Sequence, residues 1–375
     1  MFERIKAILI KEFKQVLRDP RMKTVILVSP IVQIIIFGYA ANKDIDFIPT
    51  AIYDQDNTKE SRQLLQRFTY SQYFVPKYYI HNQSEEDHML DKGLVSAVLR
   101  IDRGFGRQIK AGKDANVQLA LDGSDSNTAM IIAGYANTIM SQYQFDLLKS
   151  DVESLGIQKD PPSVELRERA WFNENLISRN YYLPGVIASI VTIMSLLLTA
   201  MAIVREKEIG TMEQLIVSPL RPLELIFGKL LPFGVIALIQ CALITTLGVF
   251  WFHIPFRGSL TLLVLATCVY LFTTLGTGLF ISTIASTQQE AMMSVFLFYM
   301  PTFLLSGFAY PIANMPQIIQ LFTLINPMRY YLVIIRGIFL KGVGMNILWM
   351  YFLPLLIIGF FVITMSALRF RRKIA

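Results

Sequence analysis

Two long stretches of this chain leave almost no choice of solvent. Residues 182–204 contain no charged side chain, and residues 225–252 contain one, Lys229, near the start of the run. Each exceeds the roughly 20 apolar residues that a helix needs to cross about 30 Å of hydrocarbon. Backbone N–H and C=O groups in lipid must be paired within their own segment, so both stretches are predicted as transmembrane helices. The sequence between them, R-E-K-E-I-G-T-M-E-Q-L-I-V-S-P over 205–219, is then a tight charged turn on one membrane face.

That turn carries its own start and stop signals. Gly210 is predicted to break the helix leaving the first stretch, and Thr211 to cap a new one. Gln214, three residues on, completes a capping-box pattern in which each side chain satisfies a free backbone N–H. Met212, Leu215 and Ile216 share one face at i, i+3, i+4. Ser218 precedes Pro219 and is biased out of the α region, so the helix stops there. A two-turn helix is marginal alone in water and is expected to pack against a partner protein.

The pattern E-x-G-T-x-E-Q-L-x-x-S-P, here Glu208 to Pro219, resembles the coupling segment of ABC-2 type transporter permeases. Other matching pieces follow in order: S-T-I-A-S-T-Q-Q-E-A over 282–291, S-G-F-A-Y-P-I-A-N-M-P over 306–316, Asn326 with Pro327, Arg329 to Tyr331, and Lys341 with Gly342. The likeness covers nearly the whole chain and is to bacterial multidrug-exporter permeases with a large loop after the first helix. It implies a non-catalytic permease, with two such chains, identical or homologous, docked on two separate ABC ATPase subunits. No cofactor is expected on this chain; ATP and magnesium belong to the ATPase. The resemblance makes 205–219 the coupling helix, with Arg205, Glu206, Glu208, Gly210, Thr211, Met212, Glu213, Leu215, Ile216 and Pro219 as its residues. Within it, Glu206, Glu208 and Glu213 are the candidates for charge contact with the ATPase, and Met212, Leu215 and Ile216 for burial. The cargo so implied is hydrophobic or amphiphilic, a drug or lipid-like molecule.

Composition agrees with a multi-pass protein: 53% of residues are hydrophobic, and the mean hydropathy is +0.46. The formal net charge of +7 raises nucleic-acid binding as an alternative. The placement of the basic residues excludes it. Seven Lys/Arg precede Thr24, four lie between Arg205 and Lys229, and four lie in the tail after Leu368, against Arg257, Arg329, Arg336 and Lys341 in the short loops on the other side. This is the positive-inside pattern, with both termini cytoplasmic; the resemblance implies a bacterial inner membrane. Long translocated loops escape the rule, so the Lys/Arg of residues 42–181 are left out of that comparison.

In chain order, residues 1–22 are predicted as an amphipathic interfacial helix, with Ile5, Ile8, Leu9, Phe13 and Val16 opposed to Arg4, Lys11, Lys14 and Arg18. Residues 23–41 form the first span; its length and structured approach favour an uncleaved anchor over a signal peptide ending at Gly38-Tyr39-Ala40. Residues 42–181 turn polar and alternate short strand patterns (50–53, 78–81, 95–101, 117–121, 164–170) with helical ones (58–70, 84–92, 105–111, 127–155). They are expected to form an extracytoplasmic α/β domain; the resemblance to exporter permeases implies that it receives substrate or meets a periplasmic adaptor protein. Residues 182–368 hold five further spans, 182–204, 225–252, 260–285, 291–308 and 345–368. Within them, 309–342 has two apolar pieces too short to cross, read as a re-entrant helical hairpin rather than a plain loop. Its breakers are Gly307, Pro311, Pro316, Asn326 and Pro327. Residues 369–375 are a basic cytoplasmic tail. The expected fold is an α-helical polytopic membrane protein of six transmembrane helices with an inserted α/β domain.

Several chemistries lack their residues. A phosphate-binding loop needs G-x-x-x-x-G-K-[ST]; Gly106 to Lys113 has one residue too many, then Asp114. The histidines His81, His88 and His253 are scattered, and neither Cys241 nor Cys268 joins them at metal spacing. Asp54, Asp56, Asp122 and Asp125 read as solvated turns rather than a calcium or acid–base site. No span carries an ionisable residue at its middle, which leaves an ion-coupled secondary transporter without a relay. A membrane-anchored ligand sensor would need a signalling domain inside, for which the cytoplasmic pieces are too short. Gln33 and Gln240 are mid-span amides expected to bond a neighbouring helix. Gly276 and Gly278 with Thr273, Thr274 and Thr277 form a surface for close helix packing, and Met194, Met201, Met292, Met293 and Met300 an adaptable apolar one.

Overall fold

A computed structural model describes residues 2–40, 47–154, 171–173, 177–210 and 222–374. The chain divides into two compact units, Met1–Lys43 with Arg169–Ala375, and Asp44–Glu168.

The first unit opens with α1 (Phe2–Arg18), α2 (Pro20–Lys23), a π-helical turn at Thr24–Val28 and α3 (Ser29–Ala40). Along α1, Glu12 and Val16 are buried while Lys6, Lys11 and Lys14 face outward, the segregation its sequence predicts. The π turn lies where a buried Gln240 amide donates to the Ile26 carbonyl at 2.9 Å. Gln240 thus bonds a neighbouring helix as expected. Gln33 does not; its amide donates to Ser29 of its own helix, one turn back, at 3.3 Å.

The inserted unit is a four-stranded sheet in the order β2-β1-β3-β4. Its elements are β1 (Ile48–Asp54), α4 (Lys59–Tyr70), β2 (Phe74–Tyr79), α5 (Gln83–Asp91), β3 (Ala97–Ile101), α6 (Phe105–Lys110), β4 (Val117–Leu121) and α7 (Ser126–Ser154). β1 runs parallel to β2 and β3, and β4 closes antiparallel to β3, with Ile52 opposite Leu99 and Leu99 opposite Leu119. Alternation along the strands sends Ile48, Ala97, Leu99 and Ile101 to the face covered by α4 and α7. Ala51, Tyr53 and Val98 go to the other face, against α5. β2 begins earlier than the 78–81 expected. It includes Pro76: β2 is an edge strand, where a missing N–H is tolerated, and a register shift at Thr50/Ala51 absorbs the proline. The expected strand 164–170 lies outside the described residues.

Two loops of this unit are tied by one carboxylate. Asp56 accepts the N–H groups of Gly104 and Gly106 at 2.7 and 2.8 Å and the Thr58 hydroxyl at 2.6 Å. The glycine-rich turn that resembles a phosphate loop is therefore filled by the protein's own anion. A Cβ on Gly106 would lie 2.6 Å from Thr58 Oγ1, so only glycine permits the approach. Asp122 and Asp125 serve turn and cap, accepting from Ser124 N at 3.0 Å and Thr128 Oγ1 at 2.7 Å.

The first unit resumes with α8 (Ser178–Ile209), α9 (Pro222–Phe250), α10 (Leu260–Ile284) and α11 (Gln288–Leu304). α12 (Gln317–Phe322), α13 (Pro327–Arg336) and α14 (Met345–Ile374) complete it. Among the described residues, four helices are long and apolar enough to cross a membrane: Ser178–Ile209, Ile226–Phe250, Leu260–Ile284 and Met345–Arg369. At 1.5 Å per residue the shortest of them reach about 37 Å, more than the hydrocarbon requires. α8 is the axis, with 72% of its apolar window buried against α3, α9, α10, α11 and α13, while α14 has 22% buried. Two predicted spans are shorter: Thr24–Ala40 and α11, each 17 residues. α11 ends at Leu304, short of the expected 308, where the chain turns into Gly307 at φ +85°.

Small residues let α10 approach its neighbours. A Cβ on Gly278 would sit 2.9 Å from Thr199 of α8, and one on Gly276 2.7 Å from Ile363 of α14, which confirms that surface as helix packing. Two buried tyrosine hydroxyls are paired across helices. Tyr270 and Tyr331 stack at 4.2 Å, and their hydroxyls meet Thr192 and Thr267 at 2.6 and 2.9 Å. Of the methionines, Met194 is buried in this core, whereas Met292, Met293 and Met300 lie on an exposed face of α11.

Candidate functional site

At the charged end of α8 four other helices, α1, α9, α10 and α11, converge. Four consecutive side chains, Arg205 to Glu208, point in successive directions about the helix, and each grips a different neighbour. Arg205 donates to Asp19, at the α1–α2 corner, at 3.0 Å. Glu206, 4% exposed, accepts from Lys229 of α9 and from Lys11 of α1, the latter at 2.8 Å. Glu12 stands 4.0 Å from Lys229 and 3.8 Å from Lys11, so two carboxylates and two ammonium groups meet here among the described residues. Lys207 donates to the Ser282 carbonyl and, at 3.3 Å, to that of Ala285, the last groups of α10. Cations are favoured there by the negative end of the helix dipole.

Glu208 makes the complementary contact. Its carboxylate accepts the Gln288 N–H at 2.6 Å, at the positive N-terminus of α11. At that N-terminus Thr287 caps the helix, accepting from Glu290 N at 3.2 Å, and Glu290 reaches back to accept from Ser286 N, one residue before the cap, at 2.8 Å. Gly210 then ends α8 in the left-handed region, φ 80° and ψ 2°, its N–H bonded to the Lys207 carbonyl. A buried ion cluster of this kind adds little net stability, because desolvation offsets the attraction. It fixes geometry: α8 cannot shift at this end without moving α1, α9, α10 and α11.

At the opposite end lies the broken segment. The helices Gln317–Ile325 and Pro327–Lys341 meet at 84°. Pro311 and Pro316 begin the two short helical pieces before the bend, Ile312–Asn314 and α12. Asn326 makes the corner. Its carbonyl oxygen accepts from Met328 N at 3.0 Å, and its amide donates to the Thr302 carbonyl of α11 at 2.7 Å. Pro327 occupies the first turn of α13, where its missing N–H costs nothing. α13 buries Met328, Tyr331, Leu332, Ile334 and Ile335, whereas α12 exposes Ile318, Leu321 and Phe322.

A profile of ABC-2 family transporter proteins matches residues 23–368. The chain belongs to the ABC-2 transporter family. Among its relatives, the probable multidrug ABC transporter permease YbhR of Escherichia coli K12 is 35% identical over the full length of both chains. YbhS, a second probable multidrug ABC transporter permease from that strain, is 31% identical over 91% of this chain and 89% of its own. The inner membrane transport permease YhhJ is 31% identical over 97% and 96%.

In this ABC-2 permease the structure places Arg205, Glu206, Glu208 and Gly210 at the end of α8. Thr211, Met212, Glu213, Leu215, Ile216 and Pro219 lie outside the described residues. Gly307, Pro311, Pro316, Asn326 and Pro327 all fall at breaks of the bent segment. Sequence reasoning missed the partners that immobilise α8: Glu12, Asp19, Lys229, Gln288 and the Ser282 carbonyl. One signal was present, since Ser282 to Ala291 was among the pieces matching the family, but nothing in that string tells of Glu208.

Proposed function

We propose that this chain is the permease subunit of an ATP-driven exporter, receiving force at residues 211–219 from a separate ATPase that holds ATP and magnesium. The observation that carries this reading is the four-way grip at the end of α8. The chain passes directly from that grip into the coupling sequence, so a push there would be delivered to α1, α8, α9, α10 and α11 together. Arg205, Glu206, Lys207 and Glu208 then act as the transmitting part. Thr211, Met212, Glu213, Leu215 and Ile216 act as the receiving part, with Pro219 as its stop.

Lys/Arg placement assigns this end and both termini to the cytoplasm of a bacterial inner membrane, and the hairpin end to the outside. Thr24–Ala40 and α11, at the lower limit of spanning length, make six crossings with the four long helices. The segment 309–342 re-enters from the outer side, and residues 42–181 stand outside as the domain that meets cargo or an adaptor protein. Two permease chains pair on two ATPases. The multidrug names of the relatives, with the apolar helices, support a hydrophobic or amphiphilic cargo. Among the described residues no Asp, Glu, Lys, Arg or His sits midway along any of the four long helices, which gives ion-coupled transport no footing.

Glu213→Lys tests the coupling site. In membranes that also contain the ATPase, this variant is expected to insert at the wild-type level, to lose co-purification with the ATPase, and to export at least about tenfold less, the effect of one lost charged contact. Undiminished co-purification and export would contradict the assignment.

A further inference from the structure

Glu86 stands in the first turn of α5, in the inserted unit. It is 5% exposed, and its Oε2 is enclosed without a hydrogen-bond partner. The start of the helix does not use it. Glu85 closes that end instead, accepting from the His81 N–H at 3.0 Å and from the Asn82 amide at 2.9 Å. The topology fixes what Glu86 faces. α5 carries the chain from the end of β2 to the start of β3, and both strands run parallel to β1. α5 therefore runs against them, with its first turn over the C-terminal end of β3, where Arg100 lies. Arg100 shares a sheet face with Val98, two residues back, and Glu86 shares a helix face with Leu90, four residues on. Val98 and Leu90 pack in one cluster, so the two faces are those that meet.

Arg100 is already committed elsewhere. Its Nε donates to Asp102 at 2.8 Å, and its guanidinium lies 5.6 Å from the ring of Tyr53, its neighbour on β1. No ion pair joins it to Glu86 among the described residues. The charged and titratable groups around Glu86 are thus Arg100, Asp102 and Tyr53 from the sheet side and Asp87 on its own helix. Burial pushes the Glu86 carboxyl above the usual glutamate value; Arg100 pulls it back in part, and Asp87 and Asp102 push it further up. Little holds α5 down against an enclosed carboxylate. The helix has nine residues, and its contacts with the sheet, Met89 and Leu90, are only partly buried. So short a helix depends on such contacts, and a buried carboxylate without a partner strains them.

We propose that Glu86 is a proton-operated latch that holds α5 on the sheet of the inserted unit. With its carboxyl protonated, α5 stays closed. When the proton passes to bulk water, the carboxylate left behind has no partner, and the first turns of α5 lift to expose it, uncovering Ala51 and Val98. Asp102 keeps the latch sensitive, because it holds the one guanidinium here that could neutralise Glu86 in place. The device lies wholly within Asp44–Glu168 and does not depend on the export reading.

Hydrogen exchange of the purified full-length protein in detergent, corrected for intrinsic rates, tests this at the amides of residues 87–94. A carboxyl raised on folding contributes fully below its unfolded pKa and loses that contribution as pH rises through the folded one. Wild-type α5 is therefore expected to be most protected near the unfolded glutamate value of about pH 4.3 and to lose protection several-fold by about pH 8. β3 in the same sample should keep its protection, which separates opening of α5 from unfolding of the unit. Glu86→Gln is expected to flatten the profile and to protect α5 more than wild type at about pH 8. Asp102→Asn frees Arg100 for Glu86, so it should also raise protection at high pH and shrink the pH dependence. His88→Gln, which removes the imidazole of the same helix, should leave the profile as in wild type. The proposal is overturned if wild-type protection is flat or rises with pH, if Glu86→Gln keeps the wild-type profile, or if His88→Gln abolishes it. Should Glu86→Gln fail to fold, Asp102→Asn decides: an unchanged profile there equally overturns the latch.

Discussion

At the scale of single residues, Lys229 shows how position in space outweighs position in sequence. The chain places it near the start of an apolar run, where it reads as a topological marker. Folding brings it against Glu206, 23 residues away, and within 4.0 Å of Glu12, at 3% exposure. Lys229→Met leaves two buried carboxylates to share Lys11, and is expected to destabilise the protein by about 3–5 kcal/mol. Adding Glu206→Gln to it should recover most of that loss, since removing both members of a buried pair is far less costly than removing one. Thermal unfolding of both variants in detergent measures this, and a double variant no more stable than the single one would contradict the pairing.

Asp56 gives the residue scale its pH dependence. Burial pushes its carboxyl pKa up, but the Thr58 hydroxyl and the Gly106 and Gly104 N–H groups, helped by Arg107, outweigh this and hold it below the usual carboxylate value. A group lowered on folding stabilises the fold fully above its unfolded pKa, about 3.9, and loses that contribution as pH falls toward the lower folded value. Amide exchange at Gly104 and Gly106, corrected for intrinsic rates, should therefore show protection that declines below about pH 4. In Asp56→Asn that protection should be lower at pH 7 and nearly flat; an unchanged acid limb would show that another group controls it.

At the scale of elements, the hairpin corner rests on Asn326, which caps α13 and reaches α11 with the other half of the same amide. Asn326→Leu removes a cap worth about 1 kcal/mol and leaves the Thr302 carbonyl without that donor. Export is expected to fall while Tyr331 and its neighbours stay buried, which cysteine accessibility along α13 can follow. The break at this corner was legible, because Asn-Pro between two short apolar runs supplies a cap and a first-turn proline. So was α4 of the inserted unit, where Thr58 caps a helix that places Leu64 and Phe68 on one face. β2 was less so, because Pro76 reads as a breaker until the strand is known to be at the edge. Of the site, the end of α8 was legible, because the break at Gly210 is local; the cap-and-stop pattern after it lies outside the described residues. The grip of α8 joins Lys11, Asp19, Lys229, Ser282 and Gln288, up to 195 residues apart from their partners, and no local pattern encodes such pairings.

For the whole molecule, the account joins a force-receiving segment at one end of α8 to a bent segment at the other through a helix buried along most of its length. Such a helix has little freedom to bend independently of its neighbours, so displacement at Arg205–Glu208 should reach Leu332 and Phe308, which pack around Gly185 near its far end. The direct test is transport of a fluorescent amphiphilic drug in proteoliposomes made from the purified permease, with and without its ATPase. The account predicts ATP-dependent transport with both proteins, and none from the permease alone under any imposed proton or sodium gradient. Gradient-driven transport by the permease alone would contradict it.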